Sequence, residues 1–351
     1  MMIKGKKILL LMPNYYSLKK EIEIELIKQE AIVDYIETRV HKEDFLLHKT
    51  LLSFLYFIIN PFYKKKYTKQ ILDSISDKSY DYLFVVGIYG GTNRLMKVLK
   101  ERSEIKTIYY FWDAFITWDF SRYIKEFDVS YTFDMNDYSN FKEQGMYYLP
   151  LFYSEDNLQK NMKYDKVYDI VSIGTISPMY KGRLALINHI GSFSETLNIF
   201  LWYYVSELNS SFFKPRSLTN KMKCIFQFVF DNTYRRFIIA LHNDSKVFIH
   251  DTKMPEDDCK RIEYSAKSIL DINIDNAGCS YRIISALSRG IKVLTTNINI
   301  INETFYSPNN ICIIDKKQPK IDADFFKTDF EKIDMNNLRI DSWLKTIFGN
   351  S

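Results

Sequence analysis

Short, almost wholly apolar runs closed by turn residues recur along this chain, and helical spacing fills the gaps between them. Lys7-Ile8-Leu9-Leu10-Leu11-Met12, stopped by Pro13-Asn14, has the pattern of a strand buried on both faces. Apolar positions at helical spacing follow over 18–30, then a strand over 31–38. Tyr80-Asp81-Tyr82-Leu83-Phe84-Val85-Val86 ends at the turn Gly87-Ile88-Tyr89-Gly90-Gly91, and a helix over 92–100 leads to strands at 106–111, 129–133 and 146–151. Repeated βα units of this size predict a parallel, doubly wound α/β sheet. A polar stretch, 154–168, reads as a linker, and then the pattern restarts. Strands are expected at 168–175, 246–250, 268–274 and 291–296, with helices at 183–190 and 281–288. A chain of 351 residues exceeds the ~250–300 at which single cores stop growing. The expected organisation is therefore an N-terminal domain over 1–155, a second over 165–320, and a helical tail over 322–351. In that tail Leu338, Trp343, Leu344 and Ile347 share one side.

Composition removes other classes. At 46% apolar and 26% charged, the chain can bury a sizeable core and is not a disordered polymer. Glycine is scarce, 11 of 351, so each glycine beside a strand end calls for a backbone reason. Cys224, Cys259, Cys279 and Cys312 have no CxxC spacing, and the five histidines form no HExxH group, so no metal cluster is expected. Forty-eight Lys+Arg against 43 Asp+Glu leave only +5, and no base-stacking signature accompanies it; nucleic acid is not an expected partner. The basic, apolar start lacks a small-residue cleavage site and reads as a buried first strand rather than a signal peptide. No run reaches ~18 apolar residues. The expected location is cytoplasmic, peripheral on the inner face of the plasma membrane. Two apolar-plus-basic segments carry the membrane part of that expectation: 45–59, followed by Lys64-Lys65-Lys66, and a basic-aromatic insert over about 198–236. A buried helix flanked by solvated lysines is the plainer alternative for each.

In open α/β sheets, ligands bind beyond the carboxyl ends of strands, with phosphates on helix N-termini. That rule selects the loops that follow the strands. After the strand at 268–274 comes Ala277-Gly278-Cys279-Ser280-Tyr281-Arg282: Gly278 allows close backbone approach, Ser280 can cap and contact a phosphate, and Arg282 can pair with it bidentately. Gly174-Thr175 through Lys181-Gly182-Arg183 adds backbone donors and two cations, and the two loops together can neutralise a diphosphate. In the first domain, Trp112-Asp113 follows a strand end, where a carboxylate between aromatics suits a general base or a sugar-hydroxyl clamp, or simply a helix cap. Asp134 ends another strand and reads as a cap, and Asn14-Tyr15 completes the rim. Gly87 to Gly91 is not a GxGxxG and does not indicate NAD.

With these loops in place, the stretch 268–315 resembles the donor-binding region of GT-B glycosyltransferases, especially bacterial CgeB-like and lipopolysaccharide-core or capsule transferases. Gly278, Ser280, Arg282, Ala286, Leu287, Lys292, Thr295, Thr296 and Asn297 carry the likeness, supported by Tyr110 to Asp113, 148–153 and Ile173-Gly174-Thr175. The resemblance implies two Rossmann-like domains facing a central cleft, with a C-terminal helix packing back across the interface. It implies a metal-independent hexosyltransferase with no cofactor, moving a sugar from a nucleotide-diphosphate donor to a glycan or lipid-linked glycan acceptor. Gly174, Thr175, Lys181, Arg183, Gly278, Cys279, Ser280, Tyr281 and Arg282 would serve the donor, and Asn14, Tyr15, Trp112, Asp113 and Asp134 the acceptor side. The sequence departs from the pattern at Ser285, where such transferases carry a Glu that holds the donor ribose. That departure sustains two alternatives: a non-catalytic nucleotide-sugar or membrane-binding partner of polysaccharide assembly, and a CDP-polyol-phosphate transferase.

Overall fold

The structure, a computed structural model, describes residues 3–14, 17–38, 65–66, 68–87, 93–102, 104–117, 119–155, 164–178, 182–205, 218–243, 248–273 and 276–349. The segment 45–59, and with it Tyr15, Trp118 and Lys181, lies outside these residues. Two compact units are present. Unit 1 gathers Met1–Glu155, Asp275–Cys279 and Met335–Ser351; unit 2 gathers Asp156–Ile274 and Ser280–Asp334.

Unit 1 is built on six parallel strands: β1 (Lys7–Met12), β2 (Ile32–Glu37), β3 (Tyr82–Val86), β4 (Lys106–Phe111), β5 (Val129–Thr132) and β6 (Met146–Tyr148), in the order β2-β1-β3-β4-β5-β6. Every residue of β1 and β4 after the first is buried, as is all of β3, the pattern of parallel strands covered on both faces; the buried Thr107 of β4 gives its hydroxyl to Asp128. Helices α1 (Leu18–Lys28), α2 (Asn93–Arg102) and α3 (Met135–Phe141) follow β1, β3 and β5. The last helix, α9 (Ile340–Gly349), also belongs to this unit. Its Trp343 is fully buried, with ring centroids 4.8 Å from both Tyr110 and Phe152, and its indole N–H donates to the Pro150 carbonyl at 3.0 Å. Phe348 packs edge-on against Tyr82 and Phe84.

Unit 2 holds a second parallel sheet: β7 (Tyr168–Ile176), β8 (Ile199–Val205), β9 (Ile249–His250), β10 (Ala266–Asp271), β11 (Lys292–Thr295) and β12 (Ile311–Ile313), in the order β12-β11-β10-β7-β8-β9. Read from the β9 edge, this is the Rossmann strand order, which reverses between β7 and β10. Helices α4 (Arg183–Gly191), α5 (Leu218–Phe230), α6 (Asn232–Asn243), α7 (Glu256–Tyr264) and α8 (Tyr281–Ser288) connect the strands.

Two expectations change. The supposed insert opens with β8, which pairs with β7 from Ile170↔Ile199 to Ile176↔Val205. Leu201, Tyr203 and Val205 alternate as buried positions, the period-two pattern of a strand; aromatic and branched residues suit a pleated surface as well as a membrane interface. The tail is not one helix. Ala323–Phe326 and Asn336–Leu338 are 3-10 turns, and only Ile340–Gly349 is α-helical. Between them the Asn310 side chain accepts from the Glu331 N–H and donates to its carbonyl, using the backbone groups a helix would need. Helix α7 and strand β12 were not anticipated. Among the described residues no helix is long and apolar enough to cross a membrane.

Candidate functional sites

In unit 2 the point of reversal brings the carboxyl ends of β7 and β10 side by side, and two arginines converge there. Ser280 caps α8 with extended backbone, its hydroxyl accepting from the Ile283 N–H and donating to Asp271 Oδ1 at 2.8 Å. This cap starts the helix one residue before Tyr281 and places Arg282 in its first turn. Arg282 Nη2 donates to the Ile173 carbonyl at 2.6 Å, and Nη1 lies 3.6 Å from Asp271 Oδ1. Gly174 lies against it: a Cβ there would press to 3.2 Å on the Tyr203 ring and stand in ordinary contact, 3.5 Å, with Arg282 Nη2. Arg183, from the first turn of α4, donates to the carbonyls of Thr175 at 3.2 Å and Ile272 at 2.9 Å. Two guanidinium groups against the one buried Asp271 carboxylate leave a net positive charge beside the N-terminus of α8, the arrangement that binds anions. Burial raises the pKa of the Tyr203 phenol and holds it protonated, against the opposing effect of the Ser172 hydroxyl it shares a hydrogen bond with. Ser285 lies one turn on from Arg282, its carbonyl accepting from Arg289 Nε, and α8 carries no carboxylate.

Gly278 and Cys279 come just before the Ser280 cap in the chain. Both belong to unit 1, and the N–H groups of Ala277 and Gly278 donate to Asp134 Oδ2 at 2.6 and 3.1 Å. The other oxygen of Asp134 caps α3, accepting from Asn136 and Asp137 N–H at 2.9 and 3.0 Å. Asp134 is thus a fully engaged anchor for the 276–279 loop. Gly278 has a packing reason too, since a Cβ would lie within 2.6 Å of the Phe133 ring and carbonyl. Cys279 is buried.

At the carboxyl end of the unit 1 sheet, Asn14 is exposed after β1, and Trp112-Asp113 follows β4. The Trp112 ring occupies the space a side chain at Gly87 would need, 2.3 Å from the Cβ position, and Gly87 is also left-handed (φ +74°). Trp112 hydrogen-bonds Asp113, whose carboxyl burial raises to about 6. A second acidic group went unrecognised in the sequence. Asp137 is buried, and its Oδ2 accepts from the Phe115 N–H at 2.9 Å. It lines a cavity of about 510 Å³ with Phe115, Asp119, Asn136, Asn140 and Phe141. Burial, and then the nearby Asp134 and Asp119 charges, lift its carboxyl to about 6 against the opposing Phe115 N–H. Three residues after a capping Asp, it looks like an ordinary first-turn acid that favours the helix dipole; only the fold turns it toward a cavity.

No family model matches the sequence, and no curated protein matches it. Solved structures do match in shape. Sucrose-phosphate synthase from Thermosynechococcus elongatus has a TM-score of 0.50 at 7% identity, over 89% of this chain and 86% of that one. The apo form of the lipopolysaccharide outer core galactosyltransferase WaaB has a TM-score of 0.49 at 8% identity, over 98% and 100%. UDP-GlcNAc 2-epimerase from Methanocaldococcus jannaschii has a TM-score of 0.49 at 9% identity, over 98% and 100%. At such identities likeness speaks to fold alone. Two parallel six-stranded α/β sheets give the chain a GT-B, glycosyltransferase-like fold.

Proposed function

We propose that this protein is a glycosyltransferase that moves a sugar from a nucleotide-diphosphate donor to a bacterial surface polysaccharide or a lipid-linked glycan. The observation that carries the reading is the convergence of Arg282 and Arg183 on the carbonyls of Ile173, Thr175 and Ile272, at the β7/β10 reversal where α/β sheets bind ligands. In this reading the diphosphate lies beside the two arginines, Gly174 and the first turn of α8, with Lys181 assisting. When the sugar C–O bond to the diphosphate breaks, the guanidinium groups take up the developing charge, so the reaction calls for no divalent metal or cofactor. Asp113, titrating near 6, is ionised at neutral pH and suits the removal of a proton from an acceptor hydroxyl. With Ser285 in place of a carboxylate, the ribose is held by another group or is contacted more weakly.

A thermal-shift panel of UDP, GDP, dTDP and CDP sugars tests the donor. At ~100 times its Kd a ligand adds about 2.7 kcal/mol of stability, and the shift should vanish in Arg282→Ala. If every nucleotide leaves the melting temperature unchanged, the reading fails. Product analysis then separates chemistries: transfer frees the nucleoside diphosphate, epimerisation returns it still bonded to sugar, and a pure binder returns the donor intact. A free nucleotide that forms equally fast in Asp113→Ala removes Asp113 from the mechanism.

A further inference from the structure

We propose that the α5–α6 hairpin docks the protein on an anionic lipid surface, with α5 lying in the plane of the interface. Leu218, Met222, Ile225, Phe226, Val229 and Phe230 of α5 are between 39 and 75% exposed. At about 100° per residue they fall within an arc of roughly 140°. The opposite side of the helix faces inward: Cys224 is fully buried, and Tyr234, Ile238 and Leu241 of α6 are buried as well. A solvent-facing helix normally reverses this pattern, so the stripe calls for an apolar occupant.

Charge identifies that occupant. Residues 218–243 hold Lys221, Lys223, Arg235 and Arg236 against a single acid, Asp231. Asp231 is already engaged, its carboxylate accepting from the Thr233 and Tyr234 N–H groups at the start of α6. By the helical repeat Lys221 borders the apolar arc, where a long basic chain sits between an acyl layer and anionic headgroups. A second copy would set two such positive stripes against each other. At 13 residues α5 is about 20 Å long, too short to cross a hydrocarbon core of ~30 Å. A helix of this length and pattern lies flat. The inference rests on the transferase reading only for its purpose, which is to bring the enzyme to a lipid-linked acceptor.

Vesicle flotation of the full chain tests it. Wild type should float with phosphatidylcholine vesicles containing about 30% phosphatidylglycerol and not with pure phosphatidylcholine, and raising salt from about 0.1 to 1 M should release it. Lys221→Gln should weaken partitioning about fivefold, and Met222→Ser with Val229→Ser should abolish flotation. Unchanged melting temperatures would show that these exposed substitutions leave the fold intact. Equal binding to neutral vesicles, no binding, or binding unaffected by the variants would overturn the proposal. So would a concentration-dependent dimer lost in the same variants, which would make the stripe a subunit interface. A nucleotide panel without any shift, beside intact flotation, would sink the transferase reading and leave this inference standing.

Discussion

Single side chains in this molecule are committed to backbone as often as to chemistry, and Asp134 shows how far that goes. Four backbone N–H groups point at its two oxygens. Hydrogen bonds to a charged group contribute about 1.5–3 kcal/mol each, and an amide can accept on one atom only. Asp134→Asn should therefore cost about 3 kcal/mol in urea denaturation; a loss below about 0.5 kcal/mol would mean that the 276–279 loop is not anchored there. Asp137 has the opposite character. Its folded carboxyl titrates near 6 and its unfolded one near 3.8, so between those values the folded chain keeps a proton the unfolded chain has released. That contribution is complete below about pH 4 and disappears as the pH rises through 6. Relative to Asp137→Asn, wild type should lose about 1–2 kcal/mol of stability from pH 4 to pH 7, the shift being reduced by solvent reaching the cavity that Asp137 lines. A constant difference between the two proteins across that range would remove the burial argument.

Helices and strands were legible where one physical signal acted alone. β1, β4, α4 and α8 could be read almost to the residue, because a doubly buried strand is apolar throughout and Ser280 is a strong cap. Ile199–Val205 satisfies both a strand and an interfacial aromatic run, and only its pairing with β7 makes it β8. The tail was over-read as helix because Asn310, some twenty residues earlier, captures Glu331 through a contact no local pattern contains. The end of that tail is the firmest element-scale case. Trp343 of α9 is fully buried, ring-packed and hydrogen-bonded to Pro150. Trp343→Ala should cost about 3–5 kcal/mol. A variant with wild-type melting temperature would show that α9 is not part of the unit 1 core.

At the scale of the whole molecule, the strand order of unit 2 gives the candidate site its meaning. The cap at Ser280 and the first-turn position of Arg282 are legible in the sequence because a strand followed by a polar loop, a cap and an arginine is a local pattern. Gly278 was expected at the same phosphate, yet its N–H is given to Asp134 in unit 1, a partner 144 positions away. Ser172, Tyr203 and Asp271, which frame the arginines, were not singled out, since their roles arise only when β7, β8 and β10 are neighbours. The central claim is that this reversal point holds a nucleoside diphosphate. Calorimetric titration of the nucleotide selected by the thermal-shift panel tests it most directly, in wild type and in Arg282→Ala. The account predicts saturable one-to-one binding that weakens at least about tenfold in the variant, as the loss of a charge-assisted contact of roughly 1.5–3 kcal/mol requires; equal affinity in the two proteins would contradict it.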